Sequence, residues 1–139
     1  MPDSITIVGM GACGVAAFAE LTIRLAASPI EGVTINLVER DAVLGRGLAF
    51  GTDQPGQLLN TESRLMGLYA HEAGDFRDWL SERRAAEGRP IDPAGVEYPP
   101  RCEYGVYLRH VLDAAHERAR DAGVAVVAHR AEALAVEGG

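Results

Sequence analysis

Residues 4–39, SITIVGMGACGVAAFAELTIRLAASPIEGVTINLVE, decide the fold of this chain. The β-branched run 4–8 is typical of a buried strand, and the glycine-rich segment 9–14 is typical of a tight turn. Apolar residues then recur at helical spacing along residues 15–25, which predicts an amphipathic helix. Residues 33–38 predict a second strand, which ends at the acidic Glu39. The order therefore predicts a strand–turn–helix–strand unit.

The turn has the pattern GxGxxG, and each glycine in it has a physical role. Gly9 permits a sharp turn out of the strand, Gly11 lets a pyrophosphate approach the backbone, and Gly14 lets the helix pack closely on the strand. Ala12 and Cys13 lie on the first helical turn, where free N–H groups and the helix dipole favour an anion. The pattern predicts a dinucleotide-binding turn. The alternative is a glycine-rich turn that binds no ligand.

Glu39 lies where such a unit carries the acid that binds a ribose. Its carboxylate could accept both hydroxyls of an adenosine ribose and would repel a 2′-phosphate, although the neighbouring Arg40 weakens that repulsion. The alternative is an exposed charge at the end of a strand. We predict that Glu39 and Arg40 lie beside the ribose of a dinucleotide.

The composition of the 139 residues argues against several classes of function. A formal charge of −7 argues against nucleic-acid binding, which needs clustered Lys and Arg. No apolar run approaches the ~20 residues of a membrane span, and no secretory signal pattern is seen at the start. The two cysteines form no CxxC pair and have no metal-like histidine spacing, which favours a reducing cytoplasm and no metal site. We expect one cytoplasmic domain, residues 1–139.

A long stretch between Glu39 and Asp75 carries turn residues without a sustained period. Its scattered apolar side chains predict an ordered loop rather than disorder. The Leu44–Met66 part of this stretch is a possible surface for self-association, because its apolar side chains need something to pack against.

The second half of the chain predicts two more helices and two more strands. These elements are a short helix that is capped by Asp75 and ended by Gly88-Arg89-Pro90, a helix over 103–122 capped by Gly123, a third strand over 124–128 and a fourth over 131–136. Together with the first unit they predict an α/β Rossmann-like domain. We expect a mostly parallel sheet with helices on both faces.

Three blocks of sequence resemble the FAD/NAD(P)-binding protein family, whose members open with a flavoprotein-type Rossmann unit. The blocks are IVGMGACG at 7–14, ERDAVLGRGLAFGTDQPGQLLNT at 39–61 and PRCEYGVYLRHVL at 100–112, and the middle one is the most specific. The resemblance implies a Rossmann-like fold that binds FAD, with NAD(P)H as a possible co-substrate. It places the FAD pyrophosphate on the glycine turn and the adenosine ribose on Glu39.

Outside the first unit, the resemblance implies five further contacts with the cofactor. Arg46 and Gly47 would lie beside the pyrophosphate or the flavin, and Asn60 would approach from the other flank. Arg130 and Ala131 would contact adenine through the backbone. From the residues alone, Arg46 could equally be a solvated loop arginine and Asn60 could stabilise a turn.

The chain also departs from the family pattern. Phe18 stands where many such flavoproteins carry a small residue, and Ser28–Gly32 lengthens the interval between Gly14 and Glu39 beyond the usual ~20 residues. Flavoproteins of this type also need a second dinucleotide-binding unit and a late strand against the flavin. We therefore expect the chain to be the N-terminal part of a larger protein.

The function that we predict is binding of the ADP moiety of FAD within a flavin-dependent oxidoreductase or monooxygenase. One alternative is the NAD-binding domain of a dehydrogenase, because the same fingerprint serves both cofactors. The other is a non-catalytic nucleotide-binding or scaffold module. No acid–base or nucleophile constellation identifies catalytic residues, so we expect the isolated chain to be inactive.

Overall fold

The computed structural model describes residues 3–41, 43–89 and 96–138. In chain order its elements are strand β1 (Ser4–Val8), helix α1 (Ala12–Ala27), strand β2 (Thr34–Glu39), the short helix α2 (Gly47–Phe50), a 3₁₀ turn (Ser63–Leu65), helix α3 (Asp75–Ala86), helix α4 (Arg101–Asp121) and strand β3 (Ala125–Arg130). The strand–turn–helix–strand unit predicted for residues 4–39 is therefore present.

The three strands form one parallel sheet with β2 in the middle. Val8 of β1 pairs with Val38, and Glu39 pairs with Arg130 of β3. Because the strands run in the same direction, their carboxyl ends meet at one edge of the sheet. This edge gathers the glycine turn, Glu39 and the residues that follow β3. The predicted α/β Rossmann-like class, with a parallel sheet and flanking helices, is confirmed.

Helices α1 and α4 pack against one another and against one face of the sheet. Phe18 of α1, Leu108 of α4, and Ile35 and Leu37 of β2 are fully buried in a single hydrophobic core. The Phe18 ring lies edge-on to the ring of His116 in α4, with 5.1 Å between centroids. The large side chain at this position is thus accommodated by an aromatic contact with α4.

The opposite face of the sheet carries no helix among the described residues, whereas we predicted helices on both faces. Val8 and Val127 are 57% and 41% exposed on this face. Asn36 Oδ1 and His129 Nε2 lie 2.9 Å apart across β2 and β3, also exposed. The prediction is wrong because the connection from β1 to β2 and the connection from β2 to β3 step in the same direction along the sheet. Right-handed connections of that kind place their helices on the same side.

Two local predictions are also wrong. Residues 131–138 adopt no regular structure, and Leu134 is 89% exposed, because an alternating pattern forms a strand only where a neighbouring strand pairs with it. Helix α3 begins at Asp75 with Gly74 as its N-cap, and no side chain caps it in the described part of the chain. The Asp75 carboxylate instead accepts a hydrogen bond from the Tyr107 hydroxyl.

The Leu44–Met66 segment is ordered and contains α2 and the 3₁₀ turn. Leu59 is buried in the core, whereas Leu48 is 91% exposed. The predicted ordered loop is therefore present. Self-association through its exposed leucines stays a prediction.

Candidate functional site

The glycine turn after β1 has a geometry that two of its glycines require. Gly9 has a φ of +86°, in the left-handed region that favours glycine, and its N–H donates to the Val38 carbonyl at 2.8 Å. A Cβ at Gly14 would lie 1.9 Å from the Gly9 carbonyl oxygen. A Cβ at Gly11 would meet the Gly47 Cα at 3.6 Å, which is an ordinary contact. The predicted turn at Gly9 and close packing at Gly14 are thus confirmed.

The N-terminus of α1 faces the same turn. Gly11 is the N-cap of this 16-residue helix, and no described side chain hydrogen-bonds to its first turn. Ala12 and Cys13 occupy that turn, with the Cys13 side chain exposed. The first N–H groups of a helix lack intrahelical partners, and the dipole gives them a partial positive charge. This end of α1 is therefore suited to an anion such as a phosphate.

Glu39, at the end of β2, binds the glycine turn through its carboxylate. Oε2 accepts a hydrogen bond from the Met10 N–H at 2.8 Å, and Oε1 accepts one from the Asp41 N–H at 3.1 Å. Partial burial raises the pKa of Glu39, but backbone hydrogen bonds and the charge of Arg40 outweigh it and lower the pKa below its ordinary value. Glu39 is therefore ionised at neutral pH. The contact with Met10 spans 29 residues, and no sequence pattern marks it.

A second wall of the site is the turn Gly45–Phe50, which contains α2. The Gly45 N–H donates to the Met10 carbonyl at 2.9 Å and so joins this turn to the glycine turn. Gly47 has a φ of +60°, and a Cβ on it would come within 3.0 Å of the Gly11 Cα. The two turns therefore touch backbone to backbone, and glycine is required on the Gly47 side of the contact.

A glycine inside α4 lets the second wall come close to that helix. A Cβ at Gly105 would lie 2.3 Å from the Phe50 carbonyl oxygen. The Phe50 ring packs edge-on against Tyr104, with 4.6 Å between centroids. Sequence reasoning missed Gly105, although a glycine within a helical pattern costs about 1 kcal/mol relative to alanine and so indicates a packing requirement.

The two turns enclose a cleft of about 410 Å³. Its lining residues are Gly9, Gly11, Ala12, Cys13, Gly14, Arg46, Gly47, Leu48, Ala49 and Phe50. Every residue predicted for the pyrophosphate side therefore lies along one cleft. Arg46 adds a cationic side chain to a wall that otherwise consists of backbone and apolar atoms.

A second cleft, of about 190 Å³, shares Gly9 with the first and follows the carboxyl edge of the sheet. Its lining residues are Val8, Gly9, Val38, Glu39, Arg40, Ala131, Glu132 and Ala133. The Ala131 N–H donates to the Glu39 carbonyl at 3.0 Å. Arg130 lines an adjoining cleft of about 150 Å³, together with Glu39. The residues predicted for the adenosine side are therefore also brought together.

The charges around the second cleft are balanced locally. The Arg40 guanidinium lies 4.0 Å from the carboxylates of both Asp41 and Glu132, and all three side chains are exposed. Exposed pairs of this kind contribute about 0–1 kcal/mol, so Arg40 remains free to reorient. The Glu39 carboxylate is the charged group held in place here by backbone hydrogen bonds.

Asn60 lies apart from both clefts among the described residues. It is exposed and lines neither of them. The adjacent Leu59 N–H donates to the Pro99 carbonyl at 2.9 Å, which holds this segment against the residues that precede α4. A contact between Asn60 and a cofactor therefore stays a prediction.

The described ranges contain neither a metal-binding cluster nor a membrane-spanning helix. No group of three or more His, Cys, Asp or Glu side chains there is arranged to hold a metal ion. No helix in the same ranges has the length and apolar character needed to cross a membrane.

Comparison with known proteins identifies a family for this arrangement. A family model described as FAD-NAD(P)-binding matches residues 6–139. No curated protein matches the chain. Among solved structures, a lysine monooxygenase, NbtG from Nocardia farcinica, described for the unprecedented conformation of its NADPH domain, is similar at 22% identity with a TM-score of 0.49. The match covers 92% of this chain and 34% of that one, so the chain spans about a third of its length.

Proposed function

The chain belongs to the FAD-NAD(P)-binding family, and from this premise we propose that it binds the ADP moiety of FAD as part of a flavin-dependent oxidoreductase or monooxygenase. The diphosphate would lie at the N-terminus of α1, in the cleft between the glycine turn and Arg46–Phe50. The adenosine would lie in the second cleft, with its ribose hydroxyls on Glu39. The redox chemistry would belong to the flavin, and the chain would supply binding and orientation.

The observation that carries this proposal is that two clefts of different character meet at Gly9. One offers a helix N-terminus and Arg46, which suit a diphosphate. The other offers an ionised carboxylate, which suits ribose hydroxyls. A nucleoside diphosphate has these two parts joined together, and a ligand of that kind would span Gly9.

The size of the clefts supports binding of the ADP half in particular. The larger cleft, of about 410 Å³, lies near the lower end of the ~300–1,000 Å³ usual for small-molecule sites, and the smaller one, of about 190 Å³, lies below that range. The adenosine and the diphosphate would occupy both clefts, and neither cleft offers a further wall for an isoalloxazine ring among its described lining residues. We propose that this wall comes from other parts of a larger enzyme, of which residues 1–139 form the N-terminal portion, and that this enzyme works in the cytoplasm.

NAD is the second candidate ligand, because the contacts argued above all involve the ADP group that FAD and NAD share. A non-catalytic nucleotide-binding module would use the same contacts. Absorbance at about 450 nm, where the flavin chromophore absorbs, would favour FAD over both alternatives if the purified protein shows it.

Titration of the purified chain with ADP, FAD and NAD tests the proposal. We expect ADP and FAD to bind with affinities that agree within about tenfold, because a solvent-exposed flavin ring contributes little. NADH oxidation should be absent. Failure of ADP to bind would contradict the proposed function. Tightly held stoichiometric FAD with NADH oxidation would show that these residues, alone or as an oligomer, form the flavin site.

The variant Gly56→Ala is the matched control for this titration. Nothing lies within 4 Å of a Cβ built at Gly56, and the residue lines neither cleft. Its ADP affinity should equal that of the unchanged chain. A change in the control would indicate that substitutions in loops perturb the site indirectly.

A further inference from the structure

The backbone of Met10, in the middle of the glycine turn, is held on both sides of its Cα atom. Its N–H donates to Glu39 Oε2 at 2.8 Å, and its carbonyl accepts from the Gly45 N–H at 2.9 Å. The Met10 side chain is fully buried in the core. The turn that leads into α1 therefore depends on contacts from residues far away in sequence.

The carboxylate that accepts from the Met10 N–H is itself oriented. Glu39 Oε1 accepts from the Asp41 N–H at 3.1 Å, so each oxygen has one backbone donor. An ionised carboxylate has about four lone-pair positions, and two of them remain for further donors. Glu39 can therefore accept the two ribose hydroxyls without releasing Met10.

We infer that Glu39 is a positioning residue for the phosphate-binding turn, in addition to its ribose contact; this inference rests on the proposed function. The carboxylate fixes the Met10 N–H, and the backbone at Met10 sets the direction in which the chain enters α1. The same side chain thus couples the ribose half of the ligand to its diphosphate half. Loss of the carboxylate weakens binding of the diphosphate even when the ligand has no ribose hydroxyls.

A ligand pair separates the two roles of Glu39. ADP has both ribose hydroxyls, and 2′,3′-dideoxy-ADP has none, while the adenine and the diphosphate are the same. Binding of each is followed by NMR through the amide signals of Ala12 and Cys13, which detect weak complexes at millimolar ligand. The proteins compared are the unchanged chain and Glu39→Gln, which retains the length of the side chain and removes its charge.

We expect Glu39→Gln to bind 2′,3′-dideoxy-ADP about tenfold more weakly than the unchanged chain, because a charged hydrogen bond to the turn is lost. Without ligand, the Met10 amide proton signal should move upfield, as expected when its carboxylate acceptor is replaced. The Tm should fall by only several degrees, as expected for one lost hydrogen bond. A general loss of structure would instead lower the Tm much further and move amide signals throughout the core.

The outcomes distinguish this inference from the proposed function. No ADP binding by the unchanged chain would contradict the proposed function itself. If ADP binds but the dideoxy analogue binds both proteins equally, or binds neither, Glu39 acts through the ribose alone and the inference is overturned.

A second variant, Glu39→Asp, retains the charge but is shorter by one carbon–carbon bond of about 1.5 Å, so it cannot reach the Met10 N–H. It should show the same loss for the dideoxy analogue. Unfolding of both variants would overturn the inference, because Glu39 would then be required for the fold rather than for the ligand.

Discussion

Replacement of Gly11 by alanine separates ligand binding from folding at the centre of the glycine turn. Gly11 has φ −77° and ψ −161°, an extended conformation that alanine adopts without strain. The added Cβ would lie 3.6 Å from the Gly47 Cα, an ordinary van der Waals distance. We therefore expect the free energy of unfolding to stay within about 1 kcal/mol of that of the unchanged chain, with a small gain because alanine restricts the unfolded state.

The same methyl group should interfere with the ligand. It projects toward Gly47, between the two turns that wall the larger cleft, where the diphosphate is proposed to approach the backbone. The loss of one hydrogen bond between a phosphate and a backbone N–H costs about 1.5–3 kcal/mol of binding free energy. ADP should therefore bind about 10- to 100-fold more weakly to Gly11→Ala.

Gly14→Ala is the contrasting variant, because its Cβ would lie 1.9 Å from the Gly9 carbonyl oxygen and 3.0 Å from the Gly9 carbonyl carbon. Both atoms are backbone and cannot rotate away, so the strand and α1 must separate. Overpacking of this kind costs about 1–3 kcal/mol or more. We expect Gly14→Ala to lower the free energy of unfolding by at least that amount.

Denaturant unfolding followed by circular dichroism and an ADP titration on the same samples measure both effects. The expected pattern is a stable Gly11→Ala with weakened ADP binding and a destabilised Gly14→Ala. Unchanged ADP affinity in Gly11→Ala would refute the assignment of the diphosphate to this turn. Unfolding of Gly11→Ala would refute the reasoning from its backbone conformation.

Two further predictions concern charge. Glu39→Gln should weaken NAD binding by about 1.5–3 kcal/mol, because a charged hydrogen bond is lost. It should weaken NADP binding less, because the carboxylate that repels a 2′-phosphate is removed. If the unchanged chain binds NADP more tightly than NAD, the role of Glu39 is contradicted. Burial lowers the pKa of His116 below its ordinary value of 6.5, so the unfolded chain binds that proton more tightly and stability should fall as the pH drops below about 6.5. Urea unfolding at pH 7 and pH 5.5 measures this dependence, and the loss of stability between the two pH values should be smaller in His116→Gln. An equal loss in the variant would assign the pH dependence to another group.

The elements that sequence reasoning predicted well are those set by local pattern. The β-branched run 4–8 and the glycine turn define β1 and the start of α1, because strand propensity and positive-φ requirements act within a few residues. Gly123, with a φ of +71°, follows α4 as expected for a helix C-terminus. The prediction of a fourth strand was wrong because residues 131–136 meet the pattern for a strand but have no neighbouring strand to pair with in the described part of the chain.

The site could be predicted at Gly9 and Gly14, where a positive φ or close backbone packing requires glycine. It was not predictable where two distant backbones must meet. The Glu39–Met10 and Gly45–Met10 hydrogen bonds join residues 29 and 35 positions apart, and no single-sequence pattern encodes such a pairing. At Asn60 a sequence motif predicts a cofactor contact that its position does not show. The hydrogen bond between Leu59 and Pro99 determines where this residue lies.

The width of the larger cleft follows from glycines in three different elements. Gly105 lets the Phe50 carbonyl approach α4, and the turn that ends at Phe50 brings Gly47 onto Gly11. A side chain at Gly105 or Gly47 would come within 2.3 or 3.0 Å of backbone atoms and would push the second wall away from α4 or from the glycine turn. Since α4 packs on α1 in the hydrophobic core, the distance between the two walls is fixed by that packing. The cleft is therefore a consequence of how α4 packs on α1, and the GxGxxG turn forms one side of it.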